Sequence, residues 1–166
     1  GNEIMMQRRV NLSIQIPKDN SSLLHIHTDT WSGDSPFEVV GWLPFVNCYN
    51  SKSMYILPKK KNDIIFKQMV NKKFKGNNNS IYKKVKKDLI WLNIKKGNLL
   101  LFNQNLLHGN IVNSENETRW SMNCRFKSVF SPYYQKEIGE FFQPFKLRPA
   151  TIDGLKYRQI IEDAKS

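Results

Sequence analysis

His27-Thr28-Asp29 and, far along the chain, His108-Gly109-Asn110 place three metal-capable side chains in two short segments. Residues two apart on an extended segment project to the same side. His27 and Asp29 can therefore hold one ion together without strain. A second imidazole would complete a set of two histidines and one carboxylate. That set covers one face of an octahedral Fe(II) and leaves the opposite face open for reactants. It does not force the tetrahedral closure of a structural zinc site. A lone H-x-D triplet carries little information, because it arises often by chance. The chain has only 3 histidines, however, so His108 is the one distant imidazole available to complete the set.

The elements that must position these residues read mostly as short strands. Leu23 to Thr30 alternates, with His25, His27 and Asp29 on one face and Leu24, Ile26 and Thr28 on the other. Phe37 to Cys48 is a long apolar run, read as a second strand, and Ser53 to Leu57 is a third that Pro58 closes. Asp63 to Val70 and Ser80 to Leu89 read as short helices, with Asn77-Asn78-Asn79 as a loop between them. Leu89 to Asn93 reads as a strand. Gly97-Asn98 then turns into the buried strand Leu99 to Phe102, which runs toward His108.

Arg119 to Lys127 alternates most clearly. Arg119, Ser121, Asn123 and Arg125 share one face; Trp120, Met122, Cys124 and Phe126 share the other. Such a polar face can lie in water, or it can line the mouth of a barrel whose apolar face packs on a second layer. Asp153 to Ala164 reads as a terminal helix. Many short strands with few helices predict an all-β sandwich or barrel with helical additions.

On the polar face, the Arg119 guanidinium could grip a carboxylate through two parallel hydrogen bonds, with the Ser121 hydroxyl beside it. Arg125 shares that face and is a rival for the same carboxylate, or a holder of an anionic substrate. Trp31 and Asp34 follow the first ligand segment in a loop expected to rim the mouth, where either could touch substrate.

These residues resemble the Fe(II)/2-oxoglutarate-dependent oxygenases, and among them the phytanoyl-CoA hydroxylase-like branch. The likeness is carried by His27-Thr28-Asp29, by the approach Gly97-Asn-Leu-Leu-Leu-Phe to His108-Gly109-Asn110, by Arg119-Trp120-Ser121 and by the strand Met54 to Pro58. The wording from His27 to Phe37 also resembles a bacterial subgroup from carbohydrate and aminoglycoside biosynthesis clusters. The resemblance covers roughly 23–127.

It implies a mainly β fold, the double-stranded β-helix (a jelly-roll, cupin-like barrel), with a few flanking helices. It implies His27, Asp29 and His108 as iron ligands, Arg119 as partner of the 2-oxoglutarate C5 carboxylate, Ser121 as its hydroxyl helper, and Asn47 facing the pocket from a neighbouring strand. It also implies hydroxylation of an unactivated C–H bond by Fe(II), 2-oxoglutarate and dioxygen, with succinate and CO2 released. Asp29 matters here, because halogenating relatives carry a small residue in its place. The expected substrate is a small metabolite, sugar-linked or phosphorylated, such as a sugar or nucleotide-sugar. The alternative is a jelly-roll binding module without catalysis. His25-x-His27 could imitate a cupin pair, but a cupin wants a Glu soon after, where Trp31-Ser32-Gly33 stands. His25 is therefore expected one layer deeper, hydrogen-bonded.

Bulk composition bounds the rest. With 166 residues, 40% hydrophobic and 12% aromatic, one globular domain over 1–166 is expected, with its core barrel at about 23–127. The first residue is Gly1 rather than Met, so a trimmed N-terminus with part of the site lost is one expectation. Gly1 to Gln7 is not followed by the apolar stretch of a secretory signal, and no apolar run approaches the roughly 18 residues of a membrane span. The expected place is the cytoplasm, with no membrane partner. The 2 cysteines, Cys48 and Cys124, have no metal or redox spacing and are expected as free thiols.

The formal charge is +12. Much of it lies between Lys52 and Lys96, where only Asp63 and Asp88 oppose it. Lysine rather than arginine dominates this block, and no aromatic residues interleave regularly for base stacking. It is read as a solvated surface, ahead of an anionic-substrate rim and of nucleic acid as a partner.

Overall fold

A computed structural model describes residues 2–71 and 77–163. Its strands are β1 (Ile4–Gln7), β2 (Asn11–Gln15), β3 (Val39–Pro44), β4 (Tyr55–Ile56), β5 (Ile90–Trp91), β6 (Leu100–Asn103), β7 (His108–Gly109), β8 (Arg119–Ser128) and β9 (Phe142–Lys146). The helices are α1 (Lys59–Val70), α2 (Asn78–Val85) and α3 (Pro149–Asp163).

Two antiparallel sheets result. The larger runs β6-β3-β8-β1-β9, with β2 also on β8. β2 pairs with the Arg119 end of β8 and β1 with its Ser128 end. The smaller runs β5-β4-β7. Val40 and Trp42 of β3 and Phe102 of β6 pack against Cys48, Met54, Ile56, Leu92 and Ile94, which closes the space between the sheets. On the other side of the small sheet, Tyr55 packs with Ile65 of α1 and with Ile81 and Val85 of α2. Tyr55 and Ile56 thus serve opposite cores, as period-2 alternation requires. This is the double-stranded β-helix, mainly β, with flanking helices.

The alternation of β8 resolves in favour of a polar interior. Arg119, Ser121 and Arg125 are buried, whereas Trp120 on the other face is 42% exposed. Leu12 of β2 (57%) and Leu101 of β6 (61%) lie out on that same face. Register explains why: Val40 stands opposite Arg125 and Trp42 opposite Asn123, so apolar residues of β3 and polar residues of β8 line one interior.

Several elements differ from expectation. Leu23 to Thr30 is not a strand. Only His27 pairs, in a single bridge to His108, and Asp29 opens a tight 3-10 turn, Asp29–Ser32, that Gly33 ends at φ 85°. The second strand shortens to β3, because Pro44 has no N–H to extend the ladder. α1 starts earlier, directly after Pro58, and α3 starts at Pro149, a residue preset for the first helical turn. Ala164 lies outside the described residues. Asn77 is a helix cap rather than a loop residue: its Oδ1 accepts the Ser80 amide at 3.0 Å. The main sheet also takes β1, β2 and β9 from outside 23–127. Cys48 and Cys124 are both free and buried, as expected.

Candidate metal centre

His108 is fixed first. In β7 it sits opposite Ile56 of β4, and it exchanges two main-chain hydrogen bonds with His27, both 2.9 Å. Gly109 follows because nothing larger fits: a Cβ there would stand 2.6 Å from Tyr55 Oη and 2.7 Å from Leu24 O. Asn110 then ties down the segment leading to His27. Its Oδ1 accepts the Leu24 amide at 2.7 Å, and its own amide donates to Leu24 O at 2.9 Å. Asp29 is set from the same side, its amide donating to Gln104 O at 3.2 Å.

The three side chains converge. Asp29 Oδ1 lies 3.5 Å from His27 Nε2 and 3.5 Å from His108 Nε2. One ligand atom from each residue falls within 4.8 Å of the others. Each imidazole has its Nδ1 on a carbonyl, His27 on His25 O at 2.7 Å and His108 on Leu106 O at 2.8 Å. Carbonyls accept, so both Nδ1 carry the proton and both Nε2 lone pairs face the cluster, the tautomer of a metal ligand. Burial alone would raise the Asp29 pKa, but His108, His27 and Arg125 hold it well below the usual carboxylate range. The pKa of His27 is raised: burial opposes this, and the Asp29 carboxylate and the His25 carbonyl outweigh it. The donor set and its spacing fit a single divalent ion.

The triad sits in a cavity of about 620 Å³ between the sheets, with Val40, Trp42, Met54 and Phe102 as its apolar wall. Arg119 lines the same cavity and is 3% exposed. Its Nη1 donates to Ser53 O and its Nη2 to Ser13 Oγ, both at 3.2 Å, while its Nε has no partner. Among the described residues no carboxylate pairs with it. Burial lowers its pKa. A buried guanidinium without a counter-anion is costly, and an entering carboxylate would relieve that cost.

Arg125 is occupied. Its Nη2 stands 3.1 Å from Asp29 Oδ2, its Nε 3.1 Å from Asp34 Oδ1, and its Nη1 donates to Gln7 Oε1 at 3.3 Å. Asp34 lines the cavity but is also bound by Lys136, at 2.5 Å. Ser121 is fully buried on the inner face with its hydroxyl unpartnered, and it does not line the cavity. Trp31 is 44% exposed and lies off the cavity wall. Asn47 is elsewhere: it accepts the Lys96 amide at 2.9 Å and lines a separate groove with Phe45 and Trp120. His25 is exposed rather than buried one layer deeper; only its carbonyl serves the site.

Ser13 and Lys136 are candidate-site residues that no sequence motif marks, and the part Asn110 plays on Leu24 is visible only in the fold. Ser13 had a signal, since Asn11, Ser13 and Gln15 alternate with Leu12 and Ile14 in the same pattern as β8. The described lysines of the Lys52 to Lys96 block form no substrate rim. Among the described residues none of its lysines lines the cavity, because α1 and α2 carry Lys59–Lys61 and Lys83–Lys84 on the far side of the small sheet.

No protein-family model matches the chain, and no curated protein matches it. Solved structures do. A non-haem monooxygenase, ThoJ in complex with nickel, superposes with TM-score 0.61 at 12% identity over 89% of this chain and 53% of its own. The non-haem, α-ketoglutarate-dependent epimerase SnoN from nogalamycin biosynthesis gives TM-score 0.53 at 11% identity, over 80% of this chain and 51% of its own. HygX from Streptomyces hygroscopicus, with nickel and 2-oxoglutarate bound, gives 0.53 at 10% identity, over 81% and 59%. The chain thus has the fold of these non-haem enzymes, and it spans about half the length of the ThoJ structures it matches.

Proposed function

We propose that this chain carries the active site of an Fe(II)- and 2-oxoglutarate-dependent dioxygenase that hydroxylates a small metabolite. One observation carries the reading: a cavity lined by two imidazoles and a carboxylate spaced for one ion is also lined by a buried guanidinium that has no counter-anion among the described residues. When bound, Fe(II) with 2-oxoglutarate and dioxygen supplies the oxidising power for a C–H bond, and the cosubstrate leaves as succinate and CO2.

The protein's own part is placement. His27, Asp29 and His108 hold the ion on one face. Arg119 anchors the far carboxylate of the cosubstrate, with Ser13 beside it and Ser121 behind on the same strand face. Val40, Trp42, Met54 and Phe102 keep that region dry, which strengthens each charge-assisted contact. The fold relatives named for 2-oxoglutarate support that compound as the cosubstrate.

The substrate end is polar, with Lys136 paired to Asp34. Asn11, Asn123 and Lys136 line the cavity. A neighbouring cavity of about 600 Å³ shares Asn11, Lys136 and Phe141 and adds Arg8 and Arg9 together with Glu140. An anionic group on the substrate, as in a phosphorylated sugar or nucleotide-sugar, fits this mouth. The test is succinate release from 2-oxoglutarate with Fe(II) and ascorbate across a panel of such compounds, with Asp29→Ala as control. Substrate-dependent release by the wild type alone supports the reading. Equal behaviour of the two proteins refutes it, and metal binding without any release points to a binding module.

A further inference from the structure

The two oxygens of Asp29 have different partners. Oδ1 faces both imidazoles, 3.5 Å from each Nε2. Oδ2 faces Arg125 Nη2 at 3.1 Å. A carboxylate is able to bind a metal through one oxygen or through both. The difference matters in an octahedral site built from three side chains, where three positions stay open. A chelating 2-oxo acid needs two of them and dioxygen needs the third. A second oxygen from Asp29 would occupy one of those three.

Resting on the function proposed above, we infer that Arg125 is a positioning residue that keeps Asp29 monodentate and so preserves the third open position. The surroundings of Arg125 support this. It is 8% exposed and has a partner beside each nitrogen: Nη1 donates to Gln7 Oε1 at 3.3 Å, Nη2 lies 3.1 Å from Asp29 Oδ2, and Nε lies 3.1 Å from Asp34 Oδ1 as an ion pair without a hydrogen bond. Gln7 Oε1 also accepts its main-chain amide at 3.3 Å. Asp34 is held in turn by Lys136. The guanidinium therefore cannot swing away from Oδ2 unless several buried contacts break together. Only arginine offers donors in three fixed in-plane directions; a lysine could replace the charge but not the brace. With Asp29 and Asp34 beside it, Arg125 also has no charge to spare for a substrate anion, which distinguishes it from Arg119.

The test compares wild type, Arg125→Lys and Arg125→Met, each with matching circular dichroism. Two quantities are read separately under argon. One is Co(II) affinity and its visible absorption, which reports coordination. The other is the titration of 2-oxoglutarate into the Fe(II)-loaded protein, followed by the visible charge-transfer band of the chelate. Co(II) affinity of Arg125→Met should stay within about tenfold of wild type, because all three ligands remain, but its spectrum should shift. Its 2-oxoglutarate affinity should fall by about tenfold or more, by analogy with the loss of metal affinity or activity when an outer partner of a metal ligand is removed. Arg125→Lys should lie between. Arg125→Met together with Asp34→Asn removes one of the two carboxylates that lose Arg125, the one still paired with Lys136, and serves if the single variant does not fold; it should show the same loss. A folded Arg125 variant with wild-type Co(II) spectrum and wild-type 2-oxoglutarate affinity overturns the inference. A wild type that binds Co(II) but chelates no 2-oxoglutarate, or binds neither, overturns the proposed function and the inference with it.

Discussion

His27 and His108 exchange both of their main-chain hydrogen bonds, at 2.9 Å each, so one closed bridge positions the two imidazoles that meet Asp29. Neither histidine depends on a long strand. The bridge needs a close backbone approach at Gly109, and that approach is the most fragile part of the site.

Gly109→Ala is expected to destabilise the fold by about 2–3 kcal/mol, the range for overpacking a filled site. The new methyl would stand 2.7 Å from Leu24 O as well as 2.6 Å from Tyr55 Oη. Adding Tyr55→Phe should recover only part of the loss, because the carbonyl contact remains. Urea denaturation of the three variants checks this; full recovery in the double variant would show that the backbone contact is not limiting.

Asn110→Leu and Asn110→Asp should separate. Leucine leaves the Leu24 amide without its acceptor, a loss of about 1–3 kcal/mol, and loosens the segment that carries His27. Aspartate keeps the acceptor, so its Co(II) affinity should stay closer to wild type than that of the leucine variant. Equal affinities would show that the Leu24 contact does not reach the metal.

Arg119→Met should weaken 2-oxoglutarate binding roughly 10- to 100-fold, the equivalent of about 1.5–3 kcal/mol for a charge-assisted contact. Co(II) affinity should stay unchanged. Arg119→Lys should recover part of the loss, since it returns the charge without the fork. Calorimetric titration of the metal-loaded proteins decides; no change in Arg119→Met would transfer the anchoring role to another cation.

Glu38 gives the fold a pH dependence away from the metal. Burial first, and then the neighbouring Asp34 charge, push its carboxyl up to about 7 from an ordinary 4.5, against the Ser35 amide and the Lys127 and Arg125 charges. A carboxyl raised in the folded state binds protons more tightly there than in the unfolded chain. The stability it contributes is fully present below about pH 4.5 and is lost as pH rises through about 7. Wild type should therefore lose stability relative to Glu38→Gln between about pH 4.5 and pH 7 and level off above that. Parallel pH profiles would contradict this.

Residue chemistry made the candidate ligands legible, because three histidines and one H-x-D triplet leave few combinations. It also made the two faces of β8 legible. It misplaced the reason that His27 and Asp29 meet. Alternation from Leu23 to Thr30 implies a strand, yet the pair is set by partners distant in sequence, His108 and Gln104. Asn47 failed for the same kind of reason: Pro44 ends β3, and the chain beyond it turns off to pair Cys48 with Ile94. Nor does local pattern say which arginine is already engaged. That depends on Asp34, which the Asp29–Ser32 turn brings back against β8.

On the proposed function, His27, Asp29 and His108 together bind one iron. Equilibrium dialysis against Fe(II) under argon, on wild type, Asp29→Ala and His108→Ala, tests it most directly. About one iron per chain is expected in the wild type, with affinity at least about 100-fold weaker in both variants. A wild type that retains no iron, or variants that retain it as tightly, would contradict it.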